Sequence, residues 1–146
     1  MAEDSFHLGV KALIRNKAGK VLLLKVNPAM LTGNKHGIYW DLPGGRVQKG
    51  QTVQDTLKRE VAEETGITDL QSVKPVSMVL SNIRIPFDNG DSVGLILSVY
   101  ECAVPDDVPI TISEENLAAE WFAPAKAAEL LAVKYPAEFC AGIAAL

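Results

Sequence analysis

Residues 45–67 constrain the fold more than any other stretch of the chain. They run Gly45 to Gln51, then Thr52 to Lys58, then Arg59-Glu60-Val61-Ala62-Glu63-Glu64-Thr65-Gly66-Ile67. Thr52 with Asp55 three positions on is a capping box and marks a helix start. Gly66 suits the position just past a helix, because glycine enters the left-handed region without steric cost. No Gly or Pro interrupts the residues between them. Val53, Leu57 and Val61 recur at i, i+4 and i+8, an apolar stripe that must face a core. Glu60, Glu63 and Glu64 stand on another face, toward the helix C-terminus.

That acidic placement is locally unfavourable. Glutamates at i and i+4 repel by a few tenths of a kcal/mol, and the negative end of the helix dipole adds to the cost. Arg59 offsets part of it by pairing with Glu63 at i+4. A hard divalent cation, Mg²⁺ or Mn²⁺, resolves the conflict, since such ions take oxygen ligands and bridge carboxylates to phosphates. The Gly44-Gly45 turn just upstream can bring a backbone carbonyl to the same ion. A solvated acidic helix face is the plain alternative, because charged side chains are mostly exposed.

The whole pattern decides between them. It resembles the Nudix box: Gly, five residues, Glu, seven residues, then Arg-Glu-apolar-any-Glu-Glu-any-Gly-apolar. Eight of the nine specified positions match at the family's spacing, and the departure is Gln51 where the family has Glu. The resemblance extends upstream to Pro43-Gly44-Gly45. It extends downstream to a loop glutamate a few residues before a Trp, which Glu115 fits best by spacing, with Glu114 close behind.

The resemblance implies an α+β fold of the Nudix type, a mixed β-sheet sandwiched between helices. It implies a Mg²⁺- or Mn²⁺-dependent pyrophosphohydrolase. Glu63 and Glu64 would be metal ligands, the Gly44 carbonyl would complete the set, and Glu60 would serve as a further ligand or as the base. Arg59 would orient the helix carboxylates, and Glu115 competes with Glu60 for the role of base. Gln51 keeps the size of glutamate but cannot neutralise charge, so its position serves the outer shell or the site holds one fewer metal ion. Lys35, His36, Trp40 and Arg46 are candidate substrate contacts around the turn, with solvent exposure as the plain reading of His36 and core packing that of Trp40.

At 146 residues the chain reads as one domain, residues 1–146. A net charge of −4 leaves no basic footprint for a long nucleic acid. Cys102 and Cys140 show neither metal spacing nor a disulfide framework, which fits free thiols in a reducing, cytoplasmic setting. The N-terminus reads as no signal peptide, and the apolar runs at 21–24 and 93–99 are too short to span a membrane. The expected partner is a small nucleotide, most simply a nucleoside triphosphate, with ADP-ribose or a nucleotide sugar as the alternative. The reading leaves room for a homodimer. A non-catalytic nucleotide-binding module of the same fold is the competing class, but the retained Glu60, Glu63 and Glu64 argue for catalysis.

In chain order, residues 6–15 and 20–26 read as a hairpin across the turn Asn16-Lys17-Ala18-Gly19. A loop fills 27–37 and a short strand 38–42. After the central helix, 73–85 is β-rich with Pro75 marking an edge, Asp88-Asn89-Gly90-Asp91 is a hairpin turn, and 92–102 is a strand. Residues 110–112 read as a short edge strand and 120–122 as another. Pro124 and Pro136 each suit the first position of a closing helix.

Overall fold

A computed structural model of the chain describes residues 2–27 and 37–146. Lys35 and His36, two of the expected substrate contacts, lie outside the described residues. In chain order the elements are β1 (Phe6–Arg15), β2 (Val21–Val26), β3 (Trp40–Asp41), β4 (Gly44–Arg46), α1 (Val53–Thr65), β5 (Gln71–Leu80), β6 (Ile85–Pro86), β7 (Ser92–Ala103), β8 (Asn116–Phe122), α2 (Pro124–Leu131) and α3 (Ala137–Ala144). The fold is α+β.

The sheet is mixed. Its path runs β3-β2-β1-β7-β5, with β4 on β1, β6 on β7 and β8 on β2. β1 and β7 are parallel, from Phe6 opposite Gly94 to Arg15 opposite Ala103. Every other pairing among the described residues is antiparallel. The β1–β2 hairpin closes where expected, with Arg15 opposite Val21 and the Gly19 N–H donating to the Asn16 carbonyl.

Both faces of the central strands are covered, which explains why β1, β2 and β7 read as nearly continuous apolar runs. Val10, Ala12, Ile14 and Leu22 pack with Leu57 and Val61 of α1. Leu13, Val21, Leu23, Leu97 and Val99 pack with Ala127 and Leu131 of α2, Tyr135 between the C-terminal helices and Phe139 of α3. The helical stripe meets the sheet as its spacing requires, with Leu57 and Val61 fully buried and Val53 at the rim. Thr52 caps α1 by accepting from the Asp55 N–H, and Gly66 ends it at φ 77°.

Several boundaries differ from the sequence reading. Residues 110–112 form no strand, because the Thr111 N–H donates to the Thr65 carbonyl and so satisfies one of the orphan acceptors at the end of α1. The strand expected at 38–42 shrinks to Trp40–Asp41, while the one expected at 120–122 begins at Asn116 because it pairs along β2. Gly44 and Gly45, read as part of the turn after Pro43, also pair with β1 at the start of β4. Pro136 is the N-cap of α3 rather than its first helical residue. β5 lies at the sheet edge, and its register shifts between Pro75 and Ser77, as a residue without an N–H dictates. Among the described residues no helix is long and apolar enough to cross a membrane.

Candidate active site

β4 is the seat of the site. Gly44 has φ +151°, and a Cβ there would stand 2.9 Å from both the Lys11 Cα and Cδ, so only glycine lets β4 lie this close to β1. A Cβ on Gly45 would overlap the Glu60 carboxyl group. The two glycines therefore do different work: the first admits the neighbouring strand, the second admits a carboxylate from α1.

Glu60 and Glu64 are one helical turn apart, so they share a face of α1. Glu60 lies against Gly45. Glu64 accepts the Gly44 N–H on Oε1 at 2.9 Å and the Asn116 Nδ2 on Oε2 at 3.4 Å. It is 9% exposed. Burial raises the Glu64 pKa to about 7, against the pull of Lys11 and of the Gly44 N–H. Burial also raises Glu60, and the nearby charges of Glu63 and Glu115 push the same way, while Arg59 opposes them. The face that meets the glycine turn thus carries two carboxyl groups held away from their ordinary ionisation.

Glu63 points elsewhere. Its side chain is 57% exposed and pairs with Arg59 Nη1 at 3.4 Å, the i, i+4 contact expected from sequence. The same guanidinium reaches Glu60 at 3.1 Å. Arg59 Nη2 also donates to Gln51 Oε1 at 3.4 Å, an oxygen that further accepts the Gln48 N–H and the Thr56 hydroxyl. Arg59 is therefore a clamp between the residue that departs from the box and the helix carboxylates.

The remaining sequence candidates fall at different distances from this centre. Glu115 is exposed on the loop before β8, and its charge acts on Glu60. Trp40 is half-buried, set edge-on to Phe122 at 5.0 Å with Lys25 Nζ 6.0 Å from its ring. Arg46 is exposed at the end of β4 and donates to His7 Nδ1 at 3.2 Å. Sequence reasoning missed Asn116 and Lys11. Lys11 was visible only as a lysine inside an apolar run, and Asn116 only as the neighbour of Glu115.

The donor set suits a hard cation. It consists of carboxylate oxygens beside a backbone turn, with a buried Glu64 whose ionisation lacks sufficient compensation. A cation there would take the place of the proton on Glu64. Among the described residues, no three His, Cys, Asp or Glu side chains converge as a preformed metal cluster.

The family model for the NUDIX domain matches residues 5–141, and the chain belongs to the Nudix family. An 8-oxo-dGTP diphosphatase of Haemophilus influenzae is 37% identical over 60 residues, 41% of this chain and 41% of that protein. A MutT-like protein of Streptomyces ambofaciens is 31% identical over 96 residues, 66% of this chain and 55% of that protein. These matches span about half the length of the curated relatives or less. Among solved structures, the MutT protein of Methanosarcina mazei superposes with a TM-score of 0.63 at 27% identity, covering 98% of this chain and 94% of that one.

Proposed function

We propose that residues 1–146 form one Nudix domain that hydrolyses a phosphoanhydride of a nucleoside diphosphate derivative, with a nucleoside triphosphate first among substrates. The observation that carries this reading is the placement of Glu60 and Glu64 on one helix face against the Gly44-Gly45 turn. Glu60, Glu64 and the Gly44 carbonyl would hold Mg²⁺ or Mn²⁺. When bound, the cation supplies charge neutralisation of the phosphates and a more acidic water. Glu63 holds Arg59, and Arg59 fixes Glu60. Glu60 and Glu115 are the two candidates for the base that takes the proton of the attacking water, and the charge of Glu115 acts on Glu60.

The name of the H. influenzae relative supports a triphosphate and puts 8-oxo-dGTP first in a substrate panel. Net charge −4 supports a small substrate over a long polyanion. A cytoplasmic setting accords with two free, buried cysteines. The test is product analysis in ¹⁸O-water with Mg²⁺, across 8-oxo-dGTP, the ordinary triphosphates, ADP-ribose and dinucleoside polyphosphates. Nucleoside monophosphate and pyrophosphate are expected from a triphosphate. Cleavage of ADP-ribose alone would move the assignment to a nucleotide-sugar type substrate, and cleavage of nothing would leave a binding module.

A further inference from the structure

We propose that Asp41 is a positioning residue for the turn that carries the metal, tying residues 42–45 to the junction between α2 and α3. The proposal rests on the metal site described under the proposed function.

Asp41 is 5% exposed and accepts four hydrogen bonds. Lys11 Nζ at 2.9 Å and Lys134 Nζ at 2.6 Å donate to Oδ2. The Tyr135 hydroxyl at 2.6 Å and the Leu42 N–H at 2.8 Å donate to Oδ1. A carboxylate offers about four lone-pair sites, so Asp41 has none left for a substrate. Its role must run through the groups it holds.

Those groups lead to the site. Lys11 Nζ also donates to the Leu42 carbonyl at 3.3 Å, so Leu42 is gripped at both of its backbone polar groups. Gly44, two residues on, pairs with Lys11 across β1 and β4 and gives its N–H to Glu64. The other end of the linkage is anchored too. The Lys134 carbonyl accepts from the Ser81 hydroxyl at 2.8 Å, and the Ala132 and Tyr135 carbonyls accept from Asn82 Nδ2 at 3.1 and 2.9 Å. The path from the helix junction to Glu64 thus runs through named bonds, with Asp41 at its centre.

A buried ion cluster is a poor device for stability, since well-packed apolar residues of the same volume often serve as well or better. Two ammonium groups share one carboxylate here, a costly choice beside the apolar cluster that fills this side of the sheet. What charge and direction provide, and apolar packing does not, is a single geometry for the backbone at Leu42.

The test uses Asp41→Asn in the full chain, with Mn²⁺ alone as the probe, read by electron paramagnetic resonance on metal-free protein. Loss of an outer partner of a metal site costs about ten- to a hundred-fold in affinity, and the Mn²⁺ Kd is expected to rise by that factor. The Gly44 amide should exchange its hydrogen faster, since its bond to Glu64 loosens. At saturating metal, kcat falls while KM for the nucleotide stays near the parent value. Tyr135→Phe removes one donor and no charge, and a Mn²⁺ Kd raised by less than about tenfold is expected. Should Asp41→Asn fail to melt cooperatively, Tyr135→Phe decides the matter. Unchanged Mn²⁺ affinity in a folded variant overturns the proposal, and so does a rise in nucleotide KM alone, which would make Asp41 a substrate contact. If the parent protein cleaves no nucleotide, the proposed function fails, while Mn²⁺ affinity and Gly44 exchange still decide the part played by Asp41.

Discussion

The carboxyl group of Glu60 occupies the space that a side chain on Gly45 would need. This contact sets how closely α1 approaches β4, and so where both helix carboxylates stand. Gly45→Ala is expected to push Glu60 off the turn. Overpacking of this kind costs about 1–3 kcal/mol of stability, and activity should fall by more than the roughly ten- to hundred-fold typical of outer-shell damage. Gly142 in α3 is the control, because a Cβ there meets nothing. Gly142→Ala should leave activity unchanged and add about 0.5–1 kcal/mol of stability. Equal activity losses in the two variants would deny the Gly45–Glu60 contact any special part.

Glu63 and Glu64 are adjacent in sequence but separate in environment. Glu64→Gln removes a buried carboxylate that touches the turn, and turnover should fall by at least about a hundredfold. Glu63→Gln breaks an exposed pair of the kind worth at most about 1 kcal/mol, so a loss of no more than about fivefold is expected. Metal-dependent kinetics on both variants, each with a melting curve, make the comparison. A Glu63 variant as inactive as the Glu64 variant would place Glu63 among the ligands.

The legible parts of the chain were those encoded locally. Cap, apolar stripe and terminal glycine of α1 lie within fifteen positions and agree with one another, so helix and acidic face could be read together. The turn at 88–91 and the Pro124 helix start were likewise written in adjacent residues. Residues 110–112 failed because their backbone donor goes to the end of a distant helix, which no local pattern encodes. β8 ran longer than expected because β2 templates it. At the site, the box marked three glutamates alike, but only packing against Gly44 and Gly45 turns Glu60 and Glu64 inward and leaves Glu63 to Arg59. Asn116 meets Glu64, and Lys134 meets Asp41, across separations of 52 and 93 residues. Those meetings are products of topology, which is why neither Asn116 nor Asp41 stood out in sequence.

Gln51→Glu restores the family residue, and its side chain already points at Arg59. The added charge would pair with that guanidinium near the helix N-terminus, where the dipole also favours it. Folding should be retained, with a stability gain of about 0.3–1 kcal/mol and activity at or above the parent. The competing effect is that a stronger Gln51-side pair draws Arg59 away from Glu60, now at 3.1 Å. Turnover and melting temperature of the single variant separate the outcomes. A folded but inactive Gln51→Glu protein would mean that Arg59 must stay divided between its partners.

The last prediction concerns pH and metal together. Burial raises Glu64 to about 7 from an ordinary 4.5, so the folded, metal-free protein holds a proton there that the unfolded chain gives up. Stability rises with pH only where the unfolded state binds more protons. Here the folded state binds more, so the contribution of Glu64 to stability is fully present below the ordinary value and is lost as pH climbs toward about 7. Glu60, raised by burial, acts in the same direction. Asp41 acts oppositely: Lys11 and Lys134 overcome burial and hold it below the usual carboxylate range, so its contribution is present at neutral pH and fades only in acid. A cation that needs ionised carboxylates competes with the proton on Glu64 and relieves the penalty once the proton has gone. The rise in melting temperature on adding Mg²⁺ should therefore be small near about pH 6 and clearly larger near about pH 8. A metal at a hundredfold excess over its Kd adds about 2.7 kcal/mol. Glu64→Gln should reduce the pH dependence of that shift to the part carried by Glu60 and raise the metal-free melting temperature at the alkaline end. A metal-induced shift of equal size at both pH values would exclude Glu64 as a ligand, whatever the activity of the protein.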